Sequence, residues 1–409
     1  MRAEAIIGAG FGDEGKGYWT DVRTAQAQAQ GLDPWVVRFN SGAQAGHTVC
    51  TPDGRRHVFH HVGSGSFLGA GTFLGSGFAL NPLLLFRELA ELAALGVPAP
   101  RLAVDPRAPV TLPYDIMINQ AAERARGAGR HGSCGVGFNE TVERSLRPEW
   151  ALRAVDLAFP DRVRRCLETV RADQVPARLR TLGLPEDAID AWRWNDAIID
   201  RFVDDAQAMS RRLRIEEPTF LQSQDALVFE GAQGLRLDQD LGDFPFVTRS
   251  HTGLPALLDL ALEAGLDEVN VTYGTRAYLT RHGAGPLPDE LDAPSAPGFA
   301  DATNVPNPFQ GTLRFALLDP QALGTFIGQD LARGAHRGVT VTHDLSVNCL
   351  DQMGPTTALR GGEAVATDRL AAHLREVVGA RQMHQAWGPT RADARVAPKA
   401  AVSRRLRPS

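Results

Sequence analysis

The chain has 409 residues, 43% of them hydrophobic, and its 43 cationic side chains against 48 acidic ones leave a net charge of −5. This is long enough to bury a large core and too polar for a membrane bundle, and so weak a net charge does not announce a nucleic-acid groove. Lys16 and Lys399 are the only lysines, so a lysine that falls within a motif is worth attention. Cys50, Cys134, Cys166 and Cys349 form no CxxC pair or metal-ligand spacing, which reads as a reduced chain. The N-terminal MRAEAIIGAGFG lacks a basic segment followed by a long apolar run, and the expected location is cytoplasmic, with neither a membrane nor a nucleic acid as partner.

In chain order, Ala5 to Gly8 is a short apolar run ending in glycines, which suits a buried strand feeding a loop, and a helix should follow from near Gly15 toward Ala27. Buried strands are expected at Trp35 to Arg38, Leu102 to Val104, Ala226 to Glu230, Val269 to Tyr273 and Gly338 to Thr342. Asn81 to Leu95 has helical periodicity with Pro82 in its first turn. Between Glu149 and Gln222 the pattern turns helical and charged. The fold class this predicts is α/β: one domain over residues 1–409, a mainly parallel central sheet, a P-loop-like phosphate loop and a helical insertion at 149–222.

Three clusters follow strand ends. Gly10-Phe11-Gly12-Asp13-Glu14-Gly15-Lys16-Gly17 fits G-x-x-x-x-G-K, in which backbone amides and a helix N-terminus cradle phosphate oxygens and the lysine reaches the outer phosphates. Position 17 is glycine where that motif places a magnesium-binding Ser or Thr, and Asp13 inside the loop is a candidate for metal binding or proton transfer. The plainer alternative is a strand-to-helix turn with a solvated Asp-Glu pair. In Arg38 to Thr48, His47 follows small residues that permit close approach of a ligand, and taken alone it reads equally as a structural histidine. Phe229-Glu230-Gly231-Ala232-Gln233-Gly234 ends a third strand, where ligands sit in open α/β sheets.

GDEGKG, AGHT and FEGAQG, in this order and spacing, resemble adenylosuccinate synthetase, a purine-biosynthetic ligase. Val247-Thr248-Arg249-Ser250 is similar to the family's VTSS, Thr280-Arg281-His282-Gly283-Ala284-Gly285-Pro286 to STRVGAGP, and Trp387-Gly388-Pro389-Thr390-Arg391 to TGPDR. The resemblance implies a two-step reaction: a base removes the N1 proton of a 6-oxopurine nucleotide monophosphate, O6 attacks the γ-phosphate of ATP or GTP, and the amine of L-aspartate displaces phosphate at C6. It implies that Asp13 is the base and, with the carbonyl of Gly46, a Mg²⁺ ligand, that His47 stabilises the departing oxygen, and that Gln233 holds the 6-oxygen. By the same matching the triphosphate falls to Gly12, Glu14, Gly15, Lys16, Gly17, Thr48, Gln310, His343, Asp344 and Gly388. The purine nucleotide falls to Asp13, Gln44, Ser133, Cys134, Gln233, Thr248 and Arg147, the last reaching across a homodimer.

The departures from the family concern specificity. Tyr18 replaces a second loop lysine, Gln44 an asparagine, and GSCGVGFNET the segment GTTGRGIGPAY. The arginine-rich aspartate loop is replaced by residues 302–314, leaving Thr303 and Arg314 as candidates to hold aspartate. The guanine-reading TKxD becomes Thr342-His343-Asp344-Leu345, with its carboxylate one place early. The pattern is similar to the viral branch of the family, which makes a 2-amino-2′-deoxy-N6-succinyladenylate from dGMP with ATP or dATP, for DNA that carries diaminopurine. Many viral members have serine in place of the loop aspartate, whereas Asp13 is kept. The alternatives are the ordinary reaction of IMP with GTP, a phosphate-loop kinase or NTPase, and a non-catalytic nucleotide-binding protein.

Overall fold

The structure, a computed structural model, describes residues 2–189, 195–292 and 311–396. The first strand, β1 (Arg2–Gly8), lies in mid-sheet with Ala5, Ile6 and Ile7 fully buried, as an uninterrupted apolar run does when helices cover both faces. It leads through the glycine-rich loop into α1 (Lys16–Gln28), and then come β2 (Pro34–Arg38), the hairpin β3 (His47–Cys50) and β4 (Arg56–Phe59), and β5 (Gly71–Leu74). Next are α2 (Pro82–Ala94), β6 (Leu102–Val104), α3 (Pro113–Arg126) and α4 (Phe138–Ser145). Helix α2 starts as its sequence dictates, with the Asn81 side chain accepting from Leu84 N at 3.2 Å and Pro82 in the first turn.

The described residues within 149–222 are largely helical, with α5 (Pro160–Thr169), a π-turn, α6 (Val175–Thr181) and α7 (Asp196–Ser210). Their Val163, Leu167, Ile199, Phe202 and Met209 share a core with Leu85 and Leu92 of α2 and Ile118 of α3. The segment also contains β7 (Arg214–Ile215), which pairs with β6 at the edge of the main sheet. So short a strand among charged residues shows no period-2 pattern from which to read it.

After β8 (Ala226–Gly234) the chain forms α8 (Leu254–Glu263), β9 (Glu268–Arg276), the pair β10 (Tyr278–Arg281) and β11 (Arg314–Leu317), and α9 (Pro320–Gly334). It ends with β12 (Thr340–Asn348), the hairpin β13 (Thr356–Ala358) and β14 (Ala364–Ala366), α10 (Leu370–Val378), β15 (Met383–Ala386) and β16 (Ala394–Val396). The ten-stranded sheet has the order β16-β15-β12-β9-β1-β8-β2-β5-β6-β7, and its pairings are parallel except β15–β16. The α/β class and the mainly parallel sheet agree with the sequence reading. Strand β12 runs past the expected Thr342 to Asn348, while β5 and β15, four residues each, are additional.

After β1 the chain builds one side of the sheet and later returns to build the other, so the carboxyl ends of β1, β2, β8 and β9 meet at a topological switch point. The segment after β4 backs this point. Glu88 of α2 accepts from the amides of His60 and His61 at 2.7 Å each and of Val62 at 3.2 Å. His60 Nδ1 lies 3.0 Å from Ala43 O, which links the clamp to the loop before His47.

Burial pushes the Glu88 carboxyl up, but the His57 and His61 rings, 3.9 and 3.4 Å away, and the hydrogen bond from the His60 amide outweigh it and hold it well below its ordinary 4.5. A depressed carboxylate contributes stability above its unfolded value and loses it as pH falls through the folded one. Glu88→Gln should therefore cost about 2–4 kcal/mol in urea unfolding at pH 7, and the gap from wild type should close as pH drops below 4.5.

Candidate active site

A cavity of about 700 Å³ opens at the switch point, lined by the phosphate loop, the segment before β3, the turn between α3 and α4, the end of β8 and the turn after β10. Among its lining residues are Gly12, Asp13, Gly15, Lys16, Gly17, Gln44, Gly46, His47, Thr48, Ser133, Cys134, Gln233 and Thr248. Residues scattered over some 230 positions of sequence thus face one space.

The phosphate loop is braced from within. Lys16 is 2% exposed, donates to Gly12 O at 2.6 Å and lies 3.5 Å from Glu14, whose carboxylate accepts from the Gly12 amide at 2.8 Å. The Glu14 side chain is buried and is not among the cavity lining, so its carboxylate is an internal support of the loop. Burial raises the Glu14 carboxyl, opposed by the charge of Lys16. Asn348, at the end of β12, ties the loop to the sheet by donating to Glu14 O at 2.6 Å while accepting from Trp19 Nε1 at 2.9 Å.

Gly17 has a steric explanation. A Cβ there would lie 3.0 Å from both His47 Cβ and Ser64 Oγ, and 3.1 Å from Thr48 O. Helix α1 approaches the His47 segment so closely that the Ser or Thr of a standard phosphate loop would have to push His47, Ser64 and the Thr48 main chain aside by a few tenths of an ångström. His47 is buried, with Nδ1 2.7 Å from Glu230 Oε1. Glu230 also accepts from Ser64 N at 3.1 Å and from Ser64 Oγ, with Arg38 Nε 3.9 Å away. A carboxylate at Nδ1 assigns the proton to that nitrogen and leaves Nε2, buried without a hydrogen-bond partner, on the cavity side. Burial drives the imidazole down to about 4 against the pull of Glu230, so the free protein holds it neutral at pH 7.

Asp13 Oδ2 lies 3.2 Å from Nε2 of His282, and Arg276 Nε donates to Asp13 O. Burial raises the Asp13 carboxyl, but the close His282 imidazole, with the charges of Arg276 and Lys16, leaves it lowered and hence ionised. Gln233 has φ +65° where the β1–β8 register slips between Ile6 and Gly8, and this bulge brings it beside Gly12, whose Cβ would be 3.5 Å from Gln233 Oε1. Both amide atoms of Gln44 are buried without partners on the cavity wall, an arrangement that awaits a polar ligand. Ser133 Oγ accepts from Asn119 at 2.9 Å, and burial lifts the Cys134 thiol to about 11, which removes it as a nucleophile.

Other candidates lie elsewhere. Asp344 is 2% exposed and accepts from Asn270 Nδ2 and Gln382 N, each at 3.0 Å, and from Arg381 Nε at 3.4 Å. His343 packs edge-on to Tyr273, and neither it nor Gly388 lines the cavity. Arg314 is bound to Glu290 and to the carbonyls of Gly283 and Gly285, so its donors are used in holding a turn. Arg147 is exposed just past α4, outside the cavity. Thr303 and Gln310 lie outside the described residues. Glu230, Arg276 and His282 are site residues that motif reading alone did not single out for a role; for His282 the available signal was a histidine at the valine of STRVGAGP.

The profile of the family described as adenylosuccinate synthetase matches residues 5–312. The chain is 34% identical over 303 residues to the adenylosuccinate synthetase of Stenotrophomonas maltophilia, covering 73% of this chain and 68% of that one. The chain belongs to the adenylosuccinate synthetase family. The corresponding Xanthomonas oryzae pv. oryzae enzyme is 33% identical over the same length and coverage. Two solved structures share the fold. The fully ligated Plasmodium falciparum adenylosuccinate synthetase aligns over 97% of this chain and 100% of its own at TM-score 0.72 and 17% identity. The cyanophage S-2L succinoaminodeoxyadenylate synthetase, bound to dGMP and dATP, aligns over 97% and 96% at TM-score 0.61 and 16% identity. As a family member the chain is a ligase that forms a C–N bond between aspartate and a purine nucleotide.

Gly17→Ser tests the packing argument. The hydroxyl should cost about 1–3 kcal/mol of stability by overpacking and lower kcat, and a Mg²⁺ titration of activity should show no gain in metal affinity.

Proposed function

We propose that the chain joins L-aspartate to C6 of dGMP through a 6-phosphoryl intermediate, with ATP or dATP as donor. The carrying observation is the register of β12. A strand alternates its faces, so moving the TKxD carboxylate by one residue moves it to the other face. Leu345 stands in its place within the apolar core, and Asp344 is consumed by Asn270, Gln382 and Arg381. A guanine-reading carboxylate is thereby lost from that strand position, which supports an adenine donor. The changed Ser133–Cys134 wall and the S-2L enzyme, described with dGMP and dATP, support the same substrate pair.

In this reading ionised Asp13 takes the N1 proton, Gln233 donates to O6, and O6 forms its bond to the γ-phosphorus as the nucleoside diphosphate leaves. Lys16 and the amides at the start of α1 neutralise oxygen charge. The anionic triphosphate favours a second proton on His47, whose Nε2 then donates to the departing oxygen. The aspartate amine next bonds to C6, and phosphate departs.

Adenylosuccinate synthetases use Mg²⁺, and the carboxylate of Asp13 and the main chain of Gly46, both on the cavity wall beside Lys16, offer the hard oxygen donors that this ion prefers. When bound, Mg²⁺ would neutralise phosphate oxygens. Exposed Arg147, beside Leu146 at 64% exposure, supports a homodimer in which Arg147 serves the neighbouring cavity. We assign the whole chain to one domain with residues 149–222 as a helical insertion, and its site of action to the cytoplasm, that of the host for a viral protein. Among the described residues no helix is long and apolar enough to cross a membrane.

A second reading, IMP with GTP, is favoured by the retained Asp13 and by the identity with the Stenotrophomonas enzyme. Assaying dGMP and IMP against ATP and GTP, each with L-aspartate, should give product with dGMP and ATP; turnover confined to IMP and GTP would sink the proposal. ADP release at full rate without aspartate would instead indicate an NTPase. Asp13→Ala and His47→Ala should each lower kcat by about 10²–10⁴-fold with the fold retained by circular dichroism, and His47→Ala should also lower the melting temperature because buried Glu230 loses a partner.

A further inference from the structure

The turn after β10 is held more firmly than its glycine content suggests. Arg281 donates to Ala284 O at 3.1 Å, Pro286 O at 2.8 Å and Phe246 O at 3.2 Å. Arg314 donates to Gly283 O at 3.0 Å and Gly285 O at 2.9 Å while Glu290 holds it from behind. Gly132 presses on the turn from the other side, since a Cβ there would sit 2.7 Å from Gly283 Cα. Two arginines and a backbone contact thus fix the residue at the head of this turn, His282.

His282 faces the cavity with Nε2 3.2 Å from Asp13 Oδ2, an ion-pair contact not aligned as a hydrogen bond, and Oδ2 is buried without a hydrogen-bond partner. The backbone of Asp13 is pinned separately by Arg276. A carboxylate whose backbone is fixed still rotates about two side-chain torsions, and a directed donor on one oxygen removes that freedom and distinguishes the two oxygens. Valine, the residue of the STRVGAGP motif, has no donor to offer.

We propose that His282 is a positioning residue for the general base: a small rotation of its ring turns Nε2–H onto Asp13 Oδ2, which has no other hydrogen-bond partner, and holds the carboxylate so that Oδ1 meets the purine N1–H. The inference rests on Asp13 being the base. It adds a contact that the valine motif lacks, and it makes the base a two-residue unit in this chain.

The test uses full-length protein, the purine monophosphate that the wild type turns over, and two substitutions. His282→Val supplies the motif's own residue, and His282→Gln supplies an amide N–H at similar reach. A misdirected base costs about 10–100-fold in kcat, so His282→Val should show that loss with KM for triphosphate and aspartate within about twofold of wild type. His282→Gln should recover most of the loss. Wild-type kcat in the valine variant, a glutamine variant as impaired as valine, or a loss confined to KM would each overturn the proposal. Melting temperatures and calorimetric binding of MgATP should match wild type in both variants, and lost binding would count equally against it. Asp13→Ala separates the two readings: if it retains turnover the base assignment fails, whereas an inactive Asp13→Ala beside a fully active His282→Val removes only the role of His282.

Discussion

A lysine ammonium cannot be buried without an anion and acceptors around it, because the desolvation penalty runs to several kcal/mol per ion. Lys16 sits almost fully buried where the central strand meets the first helix, and much of the site follows from how its charge is met. Glu14 supplies the anion and Gly12 the acceptor, so the loop is drawn round its own lysine and its amides are held in a cradle before any phosphate arrives. Asn348 extends this tie to β12 and, through Trp19, to the next turn of α1. The loop is preorganised by buried electrostatics, and the glycines grant the space.

The same requirement recurs around the other charged groups. Glu230 is compensated by His47, Ser64 and Arg38, and that set orients the imidazole with one nitrogen committed and the other turned to the cavity. Asp13 stands between His282 and the phosphate loop and stays ionised in spite of burial. These pairs form a ring of polar groups whose unspent valences point into one space. A nucleotide entering it meets fixed dipoles in place of mobile water, the condition under which proton and phosphoryl transfer are accelerated.

Specificity is written in a different material. The β12 shift changes which face of a strand carries a carboxylate, and a single position is enough because side chains alternate. Asp344 then satisfies neighbouring groups of the sheet and no longer stands at the reading position. Arg314 likewise holds a turn by its donors to Gly283 and Gly285, and through that turn supports His282.

By itself the sequence determined the family, the α/β class and the identity of the phosphate-loop side chains. These depend on local patterns: an apolar run before glycines, a lysine at the head of a helix, motifs at a steady spacing. It also carried the mid-sheet strands, since strands buried on both faces are apolar throughout. It did not carry β5, β7 or β15, whose GTFL, RI and MHQA mix glycine or polar residues into a few positions so that no apolar run stands out, as it does in the LAV of β6. Only the tertiary structure decided why position 17 is glycine, that Glu14 braces the loop, that Glu230 orients His47, and that His282 stands against Asp13. The Gly17, His47 and His282 contacts bring atoms within about 3 Å across some 30 to 270 residues of chain, and the turn of the Glu14 carboxylate inward onto Gly12 and Lys16 is a loop conformation; neither leaves a mark in local periodicity.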